Sequence, residues 1–200
     1  MQDSSSRVKK KKEEIIRAAI QVFSSKGYHN TRMEEIAAAA GIGKGTIYEY
    51  FDSKLQLFQE MLKNSLQIYY KNLDGREMKN LSVAEKIYML MEAHFRFCRE
   101  NKELTRIVFW ETGTIDEELK EWVYAMRDEK EKRMQEIITE GISRGEIRNL
   151  DPRLVTLVVI GILGATWIPL ALEKWEIDPA FLAKQFTDIL VNGIKKEKLV

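Results

Sequence analysis

The sequence is short of the residues that build covalent or metal-centred chemistry. Its 200 residues contain one cysteine, Cys98, and two histidines. A lone thiol closes no internal disulfide, and one thiol with two imidazoles falls short of a Cys/His zinc cluster, so neither a metal nor a cofactor is expected. Three prolines and eleven glycines leave room for long uninterrupted helices. No stretch alternates apolar and polar residues long enough to make a strand, and no internal repeat is present. The first residues are basic but lead into no apolar run, so a secretory signal is not expected and the cytoplasm is the simplest compartment. An excess of one charge is also missing: 32 Lys+Arg stand against 31 Asp+Glu, a net +1.

Catalysis finds equally little to work with. No Ser/His/Asp or Cys/His set sits in a motif context, and the acidic pair Glu117-Glu118 falls on an exposed helix face. The chain is therefore not expected to be an enzyme. Gly41-x-Gly43-x-Gly45-Thr46 has the letters of a phosphate loop, but it follows a helical pattern at Ala37–Ala40 where such a loop needs a strand.

What is present is charge asymmetry and helical period. Residues 1–55 hold ten Lys/Arg against seven Asp/Glu, with Lys9, Lys10, Lys11 and Lys12 in a row. That run reads either as a solvated helix start or as an arm facing a polyanion. Ile15, Ala19, Val22 and Phe23 share one face of a helix from about Val8 to Lys26, which Gly27 ends. Thr31-x-x-Glu34 reads as a capping box for a short helix that Gly41 stops. A third helix begins at Lys44 and runs to Tyr50. Later helices start at Asp52-Ser53, at the capping box Ser82-x-x-Glu85, near Asp116, at Asp151-Pro152 and at Asp178-Pro179. The expected fold is all-α, about nine helices, with residues 1–53 as a helix-turn-helix domain and 54–200 as a larger helical domain.

Two short helices joined through a glycine turn and backed by a longer one make a helix-turn-helix. Ile42 and Ile47 point inward. Lys44, Thr46, Tyr48 and Tyr50 are left outward, able to read base edges or bond phosphates, while Gly43 and Gly45 remove bulk where backbone meets phosphate. Here the segment Gly27–Phe58, GYHNTRMEEIAAAAGIGKGTIYEYFDSKLQLF, resembles the signature of the TetR family of bacterial transcriptional regulators. The resemblance implies that Thr31 caps the first helix of the motif and bonds a phosphate. It places Lys44, Gly45, Thr46 and Tyr48 at the groove, and Tyr50 and Lys54 on backbone phosphates. Arg32, where a second threonine is common, supplies a replacement contact; Gly43 stands where a serine is frequent.

The second half carries one anomaly. Leu154–Leu172 is a nineteen-residue run without charge, long enough for a membrane span. A membrane-associated helical protein is the alternative reading of that run. A helix apolar all round is also what results from burial by its own core on one side and a partner subunit on the other. The family resemblance implies the latter: helices 152–174 and 179–195 pair with their copies, placing Leu157, Ile160, Gly161, Gly164, Ile168, Phe186, Ile189 and Leu190 at a homodimer interface. The expected partners are an operator in double-stranded DNA, a second copy of the chain and a small apolar effector, with no membrane.

Tyr88, Met91, His94 and Phe95, together with Cys98, Trp110, Trp122, Met126 and Trp167, are the candidate effector pocket. Taken singly each is better read as core, and His94 as a satisfied core histidine. Taken together, so many aromatic and sulfur side chains make an apolar cavity credible. The run Thr139–Ile147 with Asp151–Leu154 is similar to regulators of fatty-acid metabolism that respond to long-chain acyl-CoA, for which Arg96, Arg99 or Arg106 would meet a phosphate or carboxylate. An apolar drug or cation suits the same aromatics. The expectation is a ligand-responsive regulator acting as a repressor, released from a near-palindromic operator by that effector.

Overall fold

The computed structural model describes residues 2–74, 78, 80–110, 117–173 and 175–193. Among them are nine helices and no strand: α1 (Gln2–Asn30), α2 (Met33–Ala39), α3 (Lys44–Ile47), α4 (Lys54–Asp74), α5 (Val83–Glu100), α6 (Lys102–Trp110), α7 (Glu117–Ser143), α8 (Pro152–Ala171) and α9 (Pro179–Asn192). They form two compact units, Met1–Ile68 with Glu103–Asp116, and Tyr69–Lys102 with Glu117–Val200. The first unit thus takes in α4 as far as Ile68, beyond the expected boundary at residue 53.

In the first unit the apolar stripe of α1 meets α4. Ile15, Ala19 and Phe23 are fully buried with Phe51, Phe58 and Leu62, and the Phe23 ring meets Phe58 edge-on at 5.1 Å. α1 starts near Gln2 rather than Val8, because no glycine or proline precedes Gly27 to stop it. The lysine run therefore rides on a helix. Lys12 reaches Glu60 at 3.4 Å and lies over the Phe51 ring, and Lys11 pairs with Glu14, leaving Lys9 and Lys10 exposed. At Gly27 the backbone turns to φ 75°, ψ 164°, which breaks α1 before its last residues. Gly41, at φ 66°, closes α2: its N–H bonds the carbonyl of Ala38 and that of Ile42 bonds the carbonyl of Ala37, the paired bonds of a Schellman ending.

In the second unit α5 is the central helix, packed by α7, α8 and α9. Ile87, Met91, Phe95 and Cys98 on its stripe are buried, as the period predicts. The expected caps are in place. Ser82 Oγ accepts from the Glu85 N–H, and Glu85 Oε2 takes the Ser82 N–H at 2.8 Å. Asp151 and Asp178 cap α8 and α9 one residue before Pro152 and Pro179.

The start of α5 is pinned against the end of α7. Lys86 meets Glu140 at 2.8 Å, and the Val83 N–H donates to Glu146 Oε2 at 2.6 Å. At Gly141 the approach is so close that a Cβ would lie 2.2 Å from Val83 Cγ2. Gly141→Ala is expected to destabilise this unit by about 1–3 kcal/mol through overpacking, measured as a lower urea midpoint at unchanged slope. An unchanged midpoint would mean that the contact relaxes at no cost.

Candidate nucleic-acid interface

The helix-turn-helix is built by α2, the Gly41 turn and α3. Its entry differs from the sequence expectation by one residue. Arg32 is the N-cap of α2 in extended conformation, and Glu35 reaches back to accept its N–H at 2.9 Å. Thr31 is not the cap. The break at Gly27 leaves that residue's carbonyl outside the helix ladder, and the buried Thr31 hydroxyl donates to it at 2.8 Å. Thr31 therefore braces the loop from inside, where the resemblance made it a helix cap and phosphate ligand.

Lys54 is corrected in the same way. Its ammonium donates to the carbonyls of Tyr28 and Thr31 at 2.9 and 3.0 Å and lies 4.4 Å from the centre of the Tyr28 ring. Two of its three donors thus satisfy backbone at the end of α1, rather than reaching outward to a phosphate. A cation at the negative end of a helix is favourable in its own right. The signal was present in the sequence only as a lysine after Ser53; the fold brings it across to residues 28 and 31.

The other expected contacts differ in exposure. Ile47 is fully buried and holds α3 to the unit, while Arg32, Lys44, Gly45 and Tyr48 are exposed and Thr46 and Tyr50 are half-buried. α3 is shorter than expected, ending at Ile47 with Tyr48 as its C-cap and turns through Tyr50. A Cβ at Gly45 would meet nothing within 4 Å, and one at Gly43 only Thr46 Oγ1 at 3.8 Å. Neither glycine has a positive φ, so the fold of this chain requires neither. Lys44 is paired with Glu34 of α2 at 2.6 Å, and Lys26 with Glu35 at 2.6 Å.

The candidate effector residues lie in the second unit, apart from Trp110, whose side chain is outside the described residues. Met91, His94, Phe95 and Cys98 have no exposed surface, Trp167 is buried, and Tyr88, Trp122 and Met126 are half-buried. His94 is the polar centre of this cluster. Its Nδ1 lies 2.7 Å from the Tyr69 hydroxyl, Cys98 Sγ is 3.6 Å from Nε2, and the ring also bonds the backbone of Leu163. A carbonyl only accepts, so the neutral ring donates to Leu163 and takes the Tyr69 proton at Nδ1, an assignment from the network. Burial lowers the histidine pKa to about 4 and pushes the Tyr69 phenol well up. His94 is the satisfied core histidine. Of the three arginines expected to meet an anionic head group, Arg96 pairs with Glu92, while Arg106 belongs to the first unit, where it lines a groove of about 360 Å³ with Phe23 and Tyr28.

α8 and α9 leave an apolar face bare. Leu154, Leu157 and Phe181 are 63, 61 and 57% exposed, with Ile168 and Ile189 also exposed. Gly161 and Gly164 sit on this face with open space where a Cβ would stand. Ile160, Phe186 and Leu190 are half-buried, Phe186 turning its ring toward Phe95 at 5.7 Å. α8 is long and apolar enough to cross a membrane, and one third of its most apolar window is buried in this chain.

The family model for bacterial regulatory proteins, tetR family, matches residues 15–61, and that for the tetracyclin repressor-like C-terminal domain matches residues 80–194. The chain is 26% identical to the fatty acid metabolism regulator protein of Bacillus subtilis over 182 residues, 90% of this chain and 94% of that one. It is 30% identical to the uncharacterized HTH-type transcriptional regulator YhgD of the same organism, over 92% of this chain and 96% of that one. The crystal structure of FadR from Bacillus subtilis in complex with stearoyl-CoA superposes with a TM-score of 0.79 at 26% identity, covering 92% and 99% of the two chains.

Proposed function

Since this chain belongs to the tetR family of bacterial regulatory proteins, we propose that it acts in the cytoplasm as a homodimeric repressor of a near-palindromic operator, released by a small apolar effector. The start of α3 carries this reading. Gly43 and Gly45 leave the backbone bare on an exposed surface, beside Lys44 and Tyr48, with no demand from the fold for glycine. A bare helix start can approach phosphate closely, its N–H groups donating to the anion. Dimer symmetry would set the two recognition helices about 34–36 Å apart, or a multiple of that. The membrane alternative is not favoured, because the relatives that align over nearly their whole length are transcriptional regulators.

Gly45→Ala separates this reading from a purely structural one. Alanine is the better helix former, so stability is expected to rise by about 0.5–1 kcal/mol. Operator affinity is expected to fall at least about tenfold, because a charge-assisted backbone bond is lengthened or lost. Fluorescence anisotropy on DNA upstream of the gene, with a scrambled duplex as competitor, reads the second effect and thermal denaturation the first. A variant that is more stable and binds as well as wild type would remove α3 from the groove.

For the effector we infer a long-chain acyl-CoA. The support is the relative that regulates fatty acid metabolism and the similar structure that holds stearoyl-CoA. Stearoyl-CoA is expected to raise the melting temperature and displace operator DNA, while coenzyme A alone does neither. The opposite result, with an apolar cation acting instead, would favour the drug-responsive reading.

A further inference from the structure

We propose that Glu34 is a specificity-determining residue of the DNA-binding surface, holding Lys44 as part of a charge-neutral pair so that this lysine reads base edges instead of adding affinity for phosphate. The inference rests on the reading of α3 as the recognition helix. Lys44 is the first residue of α3, and its side chain is 65% exposed. It nonetheless has a partner: Glu34 in the first turn of α2 lies 2.6 Å away and is itself 45% exposed. The pairing holds the Glu34 carboxyl below its usual range and raises the Lys44 ammonium.

On a protein surface such a pair contributes little to stability. Near a polyanion it matters more. A free lysine neutralises a phosphate and releases counterions on any sequence. A lysine already neutralised by a carboxylate brings no net charge to the backbone, yet it keeps two donors, and the carboxylate adds an acceptor. Guanine offers acceptors in the major groove and cytosine an amino donor, so the pair presents the complement of both. The neighbouring residue is engaged elsewhere: Glu35 holds the Arg32 N–H and Lys26, whereas Glu34, which also accepts its own backbone N–H, has Lys44 as its cationic partner. The competing role for Glu34 is structural, as a carboxylate favourable at the positive end of α2.

Salt titrations on four proteins distinguish the two: wild type, Glu34→Gln, Lys44→Gln and the double variant, each on a duplex selected from a random pool by the wild type and on a scrambled duplex. With Glu34→Gln, Lys44 becomes a free cation. The slope of log K against log salt is expected to steepen by about 0.9 per subunit on both duplexes, and scrambled-duplex affinity at 0.1 M salt to rise about 8-fold per subunit. The ratio of selected to scrambled affinity is expected to fall about 5-fold. The double variant, neutral again, should recover the wild-type slope but not the ratio. An unchanged slope and ratio in Glu34→Gln overturns the proposal and leaves Glu34 to α2. Equal gains on both duplexes overturn it as well, since the pair would then be charge alone. A wild type that prefers no duplex over the scrambled one overturns the recognition-helix reading itself, a result separate from either.

Discussion

Leucine at Gly161 is expected to turn the protein into monomers without harming the protomer, and to cut operator affinity about 100-fold or more. The protomer has room for the change: Gly161 is exposed, and a Cβ there would meet nothing within 4 Å. Replacing glycine inside a helix also removes a propensity penalty of about 1 kcal/mol. In the proposed dimer the substitution would block the close approach of a second helix across Gly161 and Gly164, on the face that Leu154, Leu157, Ile168 and Ile189 leave bare. Exposed apolar surface so contiguous marks a contact site in a soluble protein. Loss of the proposed dimer would separate the two half-site contacts and forfeit the effective-concentration gain of about 10²–10⁴ that linkage gives. Light scattering at micromolar concentration reads the mass and anisotropy reads the affinity. Leu157→Glu, a charge on the same bare face, is the companion variant. If both remain dimeric, α8 and α9 do not carry the subunit contact. If wild-type protein requires detergent, the bare face meets lipid instead.

The glycines show how much of this molecule was legible before its fold was known. Those serving the chain itself could be read as punctuation: Gly27 and Gly41 end helices, and both take a positive φ. Gly43, Gly45, Gly161 and Gly164 take no positive φ and serve no turn, and the room left around them shows that packing does not require them either. Helix stripes and the caps at Ser82, Asp151 and Asp178 were equally legible, because period and capping chemistry are local. Thr31 and Lys54 were not. Their partners are the carbonyls of Gly27, Tyr28 and Thr31, exposed by a backbone break whose path no periodicity encodes. A capping box one residue out of register follows from the same break, since Glu34 and Glu35 satisfy the spacing equally well on paper. Glu34, which is not the capping-box glutamate, is the residue that pairs with Lys44.

His94 should make the stability of the second unit fall steeply as the solution is acidified. Its ring has no exposed surface, and its pKa of about 4 in the fold compares with an ordinary value of 6.5. A base whose folded pKa is depressed binds its proton more readily in the unfolded chain, so acid favours unfolding. The stabilisation is complete above pH 6.5 and is lost between pH 6.5 and 4, by about 3 kcal/mol in all. Carboxylates held low by lysines, such as Glu34 and Glu140, add acid lability of their own. A difference measurement against His94→Phe cancels them. Phenylalanine fills much the same space but leaves the Tyr69 hydroxyl and the Leu163 carbonyl without their imidazole, which costs about 2–4 kcal/mol at pH 7. It also removes the titrating group. The two stabilities, measured by urea unfolding, are therefore expected to lie furthest apart at pH 7 and to converge near pH 4. A gap of constant size across that range would mean that His94 takes up its proton in the folded chain as readily as in water. The bond to Leu163 would then not be the neutral link between α5 and α8 that the geometry describes.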